Sequence, residues 1–171
     1  MDYTHEEMKI ILGKHAAYLR GETGGVKAVF NGTDFTDAYF PDADFREAEF
    51  NGCDFTDAYM PRADFASATI AKCDFTNAIV RNARFQSATM QYAVCVGTNF
   101  QGADFRSADL INSDFTEAFC QGACFRSCDL TNVDFTDALI KDADMDGING
   151  TDITFSDTFT HGLHYRDADI D

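Results

Sequence analysis

Six cysteines and two closely spaced histidines are the residues of this chain best suited to chemistry. The cysteines are Cys53, Cys73, Cys95, Cys120, Cys124 and Cys128; the histidines are His161 and His164. The run Cys120-x-x-x-Cys124-x-x-x-Cys128 resembles a thiolate set for zinc or a metal cluster. His161 and His164 could share a metal if they stood on a helix. Carboxylates are plentiful enough for an acid–base pair, but they recur at regular intervals, which signals architecture. No Ser/His/Asp order, phosphate-binding loop or dinucleotide-binding glycine pattern is present. Whether the cysteines converge depends on the backbone that carries them.

That backbone is written as a repeat. Phe30, Phe35, Phe40, Phe45, Phe50 and Phe55 fall at every fifth position, and the frame continues through Met60, Phe65 and Ile70 to Ile140 and Met145. A small residue stands two places before each, as at Ala38, Ala43, Ala48, Cys53 and Ala58. From residue 30 to residue 170 this makes twenty-nine pentads with no insertion. A five-residue step rotates an α-helical position by about 140°, so no single helical face collects these residues. On a strand an odd step flips the face each time. The chain must therefore turn within every pentad and coil around its own core. Each pentad contributes one large and one small inward residue.

Residues 30–49 and 50–69 are identical at fourteen of twenty positions. A twenty-residue super-repeat means four pentads per coil and a four-sided cross-section. Positions twenty apart stack into ladders about 4.8 Å apart, and about seven coils make a rod about 35 Å long. The pattern small residue, Asp, Phe and two polar residues stands at Ala43-Asp44-Phe45-Arg46-Glu47 and Cys53-Asp54-Phe55-Thr56-Asp57. It recurs at Ala103-Asp104-Phe105-Arg106-Ser107 and Ser113-Asp114-Phe115-Thr116-Glu117. In these motifs the chain resembles the pentapeptide-repeat family over nearly all of residues 28–171. The resemblance implies an all-β solenoid, a right-handed quadrilateral β-helix. It also implies a link to quinolone-resistance proteins and gyrase inhibitors, although the loop insertions of some gyrase-protecting relatives are absent here.

The frame assigns each candidate residue a direction. Phe35, Phe55, Phe75, Phe115, Phe135 and Phe155, with Cys95 between them, form one core ladder; Phe45, Phe65, Phe85, Phe105 and Phe125 form the opposite one. Cys95 and Cys120 take large core positions, Cys53, Cys73 and Cys128 take small ones, and Cys124 faces out. The thiols of the Cys120 run point to different sides, so no metal site is expected. Cys53 and Cys73 stack at a separation a disulfide could bridge, and packed free thiols are the preferred reading.

Outside the first Phe ladder run Asp34, Asp54, Asp74, Asp114 and Asp134, interrupted at Val94, with a Thr ladder beside them. The adjoining corner carries Asp37, Asp57, Glu117, Asp137 and Asp157, and the opposite side carries Asp44, Asp64, Asp104 and Asp144. The architectural reading is that Asp before Phe makes turn hydrogen bonds and that surface acid keeps a rod soluble. The functional reading is that acidic ladders imitate the phosphates of duplex DNA. A third side presents Tyr39, Tyr59, Ile79, Asn99, Phe119, Leu139 and Phe159, an outward apolar stripe flanked by Pro41 and Pro61, expected to be an interface.

Both ends of a solenoid need closing. Thr4-His5-Glu6-Glu7 fits a capping box, and Met8, Ile11, Leu12, His15, Tyr18 and Leu19 follow helical spacing. The chain thus divides into 1–27, a capping helix and turn, and 28–171, the β-helix. At the other end Gly150 and Thr160 occupy core positions, leaving Leu163, Tyr165 and Ile170 to close the coil or dock on a second copy.

The net charge of −16 argues against direct nucleic-acid binding, which needs Lys and Arg on phosphates. No run is apolar enough for a membrane span and no signal-peptide pattern is present, so a cytoplasmic location is expected. The interior is filled, so neither catalysis nor a cofactor is expected. Two functions follow as expectations: a non-catalytic protein-interaction scaffold of unknown partner, or a DNA-mimicking modulator of DNA gyrase or another type II topoisomerase. A homodimer through the apolar stripe or the last coil is a further candidate assembly.

Overall fold

In the computed structural model, which describes residues 2–164 and 166 and the backbone of residues 169 and 170, the chain coils with a period of twenty residues. Helix α1 (His5–Leu19) comes first. Short strands β1 (Val29–Asn31), β2 (Glu49–Asn51) and β3 (Thr69–Ala71) follow, and β4 (Asn149–Gly150) and β5 (Asp169–Ile170) lie near the end. Every pairing is parallel and shifted by twenty residues: Phe30 on Phe50, Phe50 on Ile70, Gly150 on Ile170. Between the strands, single-residue parallel pairings carry the ladders, as in Asp34–Asp54–Asp74–Val94–Asp114–Asp134–Thr154 and Tyr39–Tyr59–Ile79–Asn99–Phe119–Leu139–Phe159.

Strands stay short because each pentad turns at its last residue. Asp37, Asp57, Asn77, Asn82, Glu117 and Asp137 all sit at φ between 56° and 59°. That left-handed region suits Asn, Asp and Gly and disfavours other residues by about 1–2 kcal/mol. Tyr92 holds φ 58° on the surface. Tyr92→Asn is therefore expected to raise stability by about 0.5–1 kcal/mol. A urea midpoint that does not rise would contradict this account of the turn.

The core is one continuous column. Phe85, Phe105 and Phe125 stack with centroids 4.9 Å apart, and Phe35, Phe55 and Phe75 stack at 5.0 and 4.8 Å. Rings of the two ladders meet edge to face, as Phe105 does with Phe115 at 5.9 Å. Cys53, Cys73, Cys95, Cys120 and Cys128 are buried, Cys124 is half-buried, and all six are free thiols. The Cys53 thiol donates to the Phe30 carbonyl at 3.6 Å and the Cys73 thiol to the Phe50 carbonyl at 3.4 Å.

Helix α1 closes the first coil. Thr4 Oγ1 accepts from the Glu7 amide at 3.2 Å and Glu7 Oε2 accepts from the Thr4 amide at 2.8 Å, completing the expected capping box. Of the apolar face read from the sequence, Met8 and His15 are fully buried, Ile11 and Leu12 are partly so, and Tyr18 is exposed. His15 does more than fill space: its Nδ1 accepts the Ala28 amide at 3.1 Å, tying the helix to the first coil. Gly25 is required where the chain returns, because a Cβ there would collide with the Tyr18 backbone. At the far end Gly150 is buried, Thr160 is exposed, and Leu163 is half-buried against the core. Tyr165 and the Ile170 side chain, the other two residues expected to close that end, lie outside the described residues.

Candidate functional site

Each pentad has five backbone N–H groups, and the coil serves four of them. In the pentad around Phe55, Asp54 N donates to Thr33 O, Phe55 N to Asp74 O, Asp57 N to Thr76 O and Ala58 N to Phe55 O. The fifth, Thr56 N, donates to Asp54 Oδ1 at 2.8 Å. The same bond recurs from Thr36 to Asp34, Thr76 to Asp74, Thr116 to Asp114 and Thr136 to Asp134, at 2.8 or 2.9 Å. The Asp ladder is thus built first to satisfy an amide. At Asp34 this bond, together with the Thr36 hydroxyl, draws the carboxyl down to about 2.

The corner acids have no such duty. Asp37, Asp57, Glu117, Asp137 and Asp157 are exposed at the left-handed turn and enter none of the ion pairs among the described residues. Glu117 does not share the tolerance of Asp and Asn for that conformation. Together the first side and its corner carry ten carboxylates and no Lys or Arg.

The opposite side is different, and here the expectation of a second acidic face is corrected. Asp44 pairs with Arg46 at 2.7 Å, Asp64 with Arg84 at 3.4 Å, Asp104 with Arg106 at 2.6 Å and Asp144 with Arg126 at 3.5 Å. These Arg residues recur at the ladder spacing on the same side, a signal present in the sequence but passed over when only Asp was followed. The protein is acidic on one side and balanced on the other.

On the third side the stripe is continuous as a ladder but uneven in exposure. Tyr39, Phe119 and Phe159 are 70%, 42% and 51% exposed, whereas Tyr59, Ile79 and Leu139 are half-buried. Tyr39 and Tyr59 stack at 5.3 Å. Pro41 and Pro61 follow these two tyrosines and lack the N–H that Asp serves elsewhere, so the apolar choice leaves no donor unmet there. Beyond them the substitution has a consequence. The amides of Arg81, Gln121, Lys141 and His161 find no acceptor among the described residues. His161 and His164 are exposed, and the described residues contain no His, Cys and carboxylate group able to hold a metal.

A four-sided coil, a Phe column and a helical cap define a repeat protein of the β-solenoid class. The pentapeptide-repeat pattern matches residues 26–60, 70–107 and 93–132, in eight copies, and the chain belongs to the pentapeptide-repeat family. Members of this family fold as right-handed quadrilateral β-helices and are generally non-catalytic. Among solved structures, the chain is similar to HetL, a pentapeptide-repeat protein involved in heterocyst differentiation regulation from the cyanobacterium Nostoc sp. strain PCC 7120. Identity is 19%, with 84% of this chain and 68% of that chain covered and a TM-score of 0.71, which is a likeness of fold. A pentapeptide-repeat protein from the cyanobacterium Cyanothece 51142 is 16% identical over 96% of this chain and 99% of that one, with a TM-score of 0.36. Full-length QnrB1, a plasmid-mediated fluoroquinolone resistance protein, is 15% identical over 82% and 93%, also with a TM-score of 0.36. No protein of curated function matches the chain significantly.

Proposed function

We propose that this protein is a non-catalytic interaction scaffold, a rod of about seven coils that presents its acidic side and apolar ladder to a protein partner. The supporting observation is the distribution of charge. Ten carboxylates on one side and corner stand without a single Lys or Arg, whereas the opposite side pairs its acids with Arg46, Arg84, Arg106 and Arg126. A one-sided field of this kind steers a basic partner and repels nucleic acid. In the same reading residues 1–27 serve as the cap, 28–171 as the display surface, and the site of action is the cytoplasm.

The test is a photo-crosslinking residue placed at Asp57 on the acidic corner or at Thr89 on the fourth side, in the ladder Thr69–Thr89–Asp109–Asp129. In cells that naturally express the chain, one protein should be captured from Asp57 and not from Thr89. No captured protein from any side would end the scaffold reading.

The basic-free side also favours a second reading, a DNA-mimicking modulator of DNA gyrase or another type II topoisomerase. Ten carboxylates over about 30 Å make about one charge per 3 Å, against about one per 1.7 Å for duplex DNA. The mimicry is therefore partial, and it is broken at Val94, Val96 and Gly97. A supercoiling assay with purified gyrase decides this reading; unchanged supercoiling and unchanged drug-induced cleavage would remove it.

A further inference from the structure

The last apolar stretch of the third side stands out because it sets Phe119 and Phe159, 42% and 51% exposed, in one line with Leu139. Phe119, Leu139 and Phe159 occupy the position where Asp or Asn elsewhere accepts the amide two residues on, as Asn99 does from Gln101 at 3.1 Å. With apolar residues there, the amides of Gln121, Lys141 and His161 go unserved by protein, and two of the three side chains face water. Two residues before each stands an exposed acid: Glu117, Asp137 and Asp157. On the other edge the corner residues are Gly122, Asp142 and Gly162, with Lys141 held 3.8 Å from Asp142, so that edge is nearly neutral. The patch is thus an apolar line with acid along one border only.

We infer that this patch, Phe119–Leu139–Phe159 with Glu117, Asp137 and Asp157, docks an amphipathic helix of another protein carrying Lys or Arg along one flank. Charge sets the sign of the partner: a second copy of this chain, at −16, would bring acid against acid. Spacing sets its form. The three anchors lie at about 0, 4.8 and 9.6 Å along the rod. Helix positions i, i+3 and i+7 rise about 0, 4.5 and 10.5 Å, a match within about 1 Å. Alternate residues of a strand advance about 6.7 Å and drift out of step at once. The inference rests on the scaffold reading in taking the partner to be a protein.

The probe is a labelled synthetic peptide of about fourteen residues, about 21 Å long as a helix. It has leucine at i, i+3 and i+7 and lysines on one flank, and a scrambled peptide of the same composition is its control. Titrated into the full chain and followed by anisotropy, the amphipathic peptide should bind at least about tenfold more tightly than the scrambled one. The double variant Phe119→Ser with Phe159→Ser should erase that preference, its fold confirmed by circular dichroism. Glu117→Gln with Asp137→Asn and Asp157→Asn should weaken binding and flatten its salt dependence. Equal binding of both peptides would overturn the helix assignment yet leave the scaffold reading, which fails separately if no crosslink forms. A dimer in light scattering that Phe119→Ser converts to monomer would also overturn it, since a second copy would then cover the patch.

Discussion

Replacing Phe105 by alanine is expected to destabilise the protein by about 3–5 kcal/mol, the range for deleting a buried aromatic side chain. Phe105 is wholly buried, stacked between Phe85 and Phe125 at 4.9 Å on either side. Phe100 and Phe115 meet its edges at 5.0 and 5.9 Å. None of these can move into the space without leaving its own stack, so the cavity stays open. Phe155, half-buried near the end and stacked on Phe135 alone among the described rings, should lose only about 1–2 kcal/mol on the same change. Urea unfolding of both variants measures the contrast. In a rod where each coil touches only its neighbours, the central lesion should also separate the unfolding of the two halves. Equal effects at Phe105 and Phe155 would mean that the Phe column is not the main support.

The second large effect concerns the cap. His15→Ala would strand the Ala28 amide in a buried site and leave a hole where the ring stacked on Tyr18 at 6.0 Å. Together these should cost the cap about 1–3 kcal/mol. The imidazole is held neutral. Burial lowers its pKa, opposed by the Arg46 carbonyl, Asp44 and Glu47 and assisted by Lys27. With Nδ1 accepting from Ala28, the ring proton sits on Nε2, which makes no hydrogen bond of good geometry. A group whose folded pKa is depressed binds more protons when unfolded. The stability it contributes is therefore complete above about pH 6.5, the ordinary value for histidine, and is lost as pH falls through the lowered one. The contributions of Glu7, held down by the Thr4 amide, and Asp34, held at about 2, are lost at lower pH, from the ordinary carboxylate value downward. The protection factor of the Ala28 amide should thus fall at mildly acid pH while those of the amides around Phe105 hold. Uniform loss of protection would show that cap and rod unfold as one, and insensitivity of Ala28 would remove His15 as the pin.

The coil frame was legible because every pentad repeats it: Phe30 predicts Phe50, Tyr39 predicts Tyr59, and no slip interrupts the count. The cysteines followed from the same frame, since position alone decides whether Cys120, Cys124 or Cys128 faces in. The purpose of the Asp ladder was only half legible. That Asp bonds the backbone is a local tendency; that it serves the one amide left over by the coil depends on the parallel register, which a single pentad does not reveal. Arg46 and Arg84 were hidden for another reason. A long side chain can reach either way, and Arg46 bonds within its own pentad to Asp44 whereas Arg84 reaches Asp64 in the coil before. His15 sat in a helical apolar series and read as packing, because its partner, Ala28, lies across a turn that spacing cannot close.

The twenty-residue register has a genetic consequence. Duplicating residues 50–69 would copy every ladder bond one coil further on, and deleting them would join residue 49 to residue 70 in the same frame. A number of pentads taken into the coil that is not a multiple of four would instead rotate all downstream sides relative to those upstream and split the acidic side from itself. The gene can thus change the length of this molecule like a ruler marked in units of twenty codons.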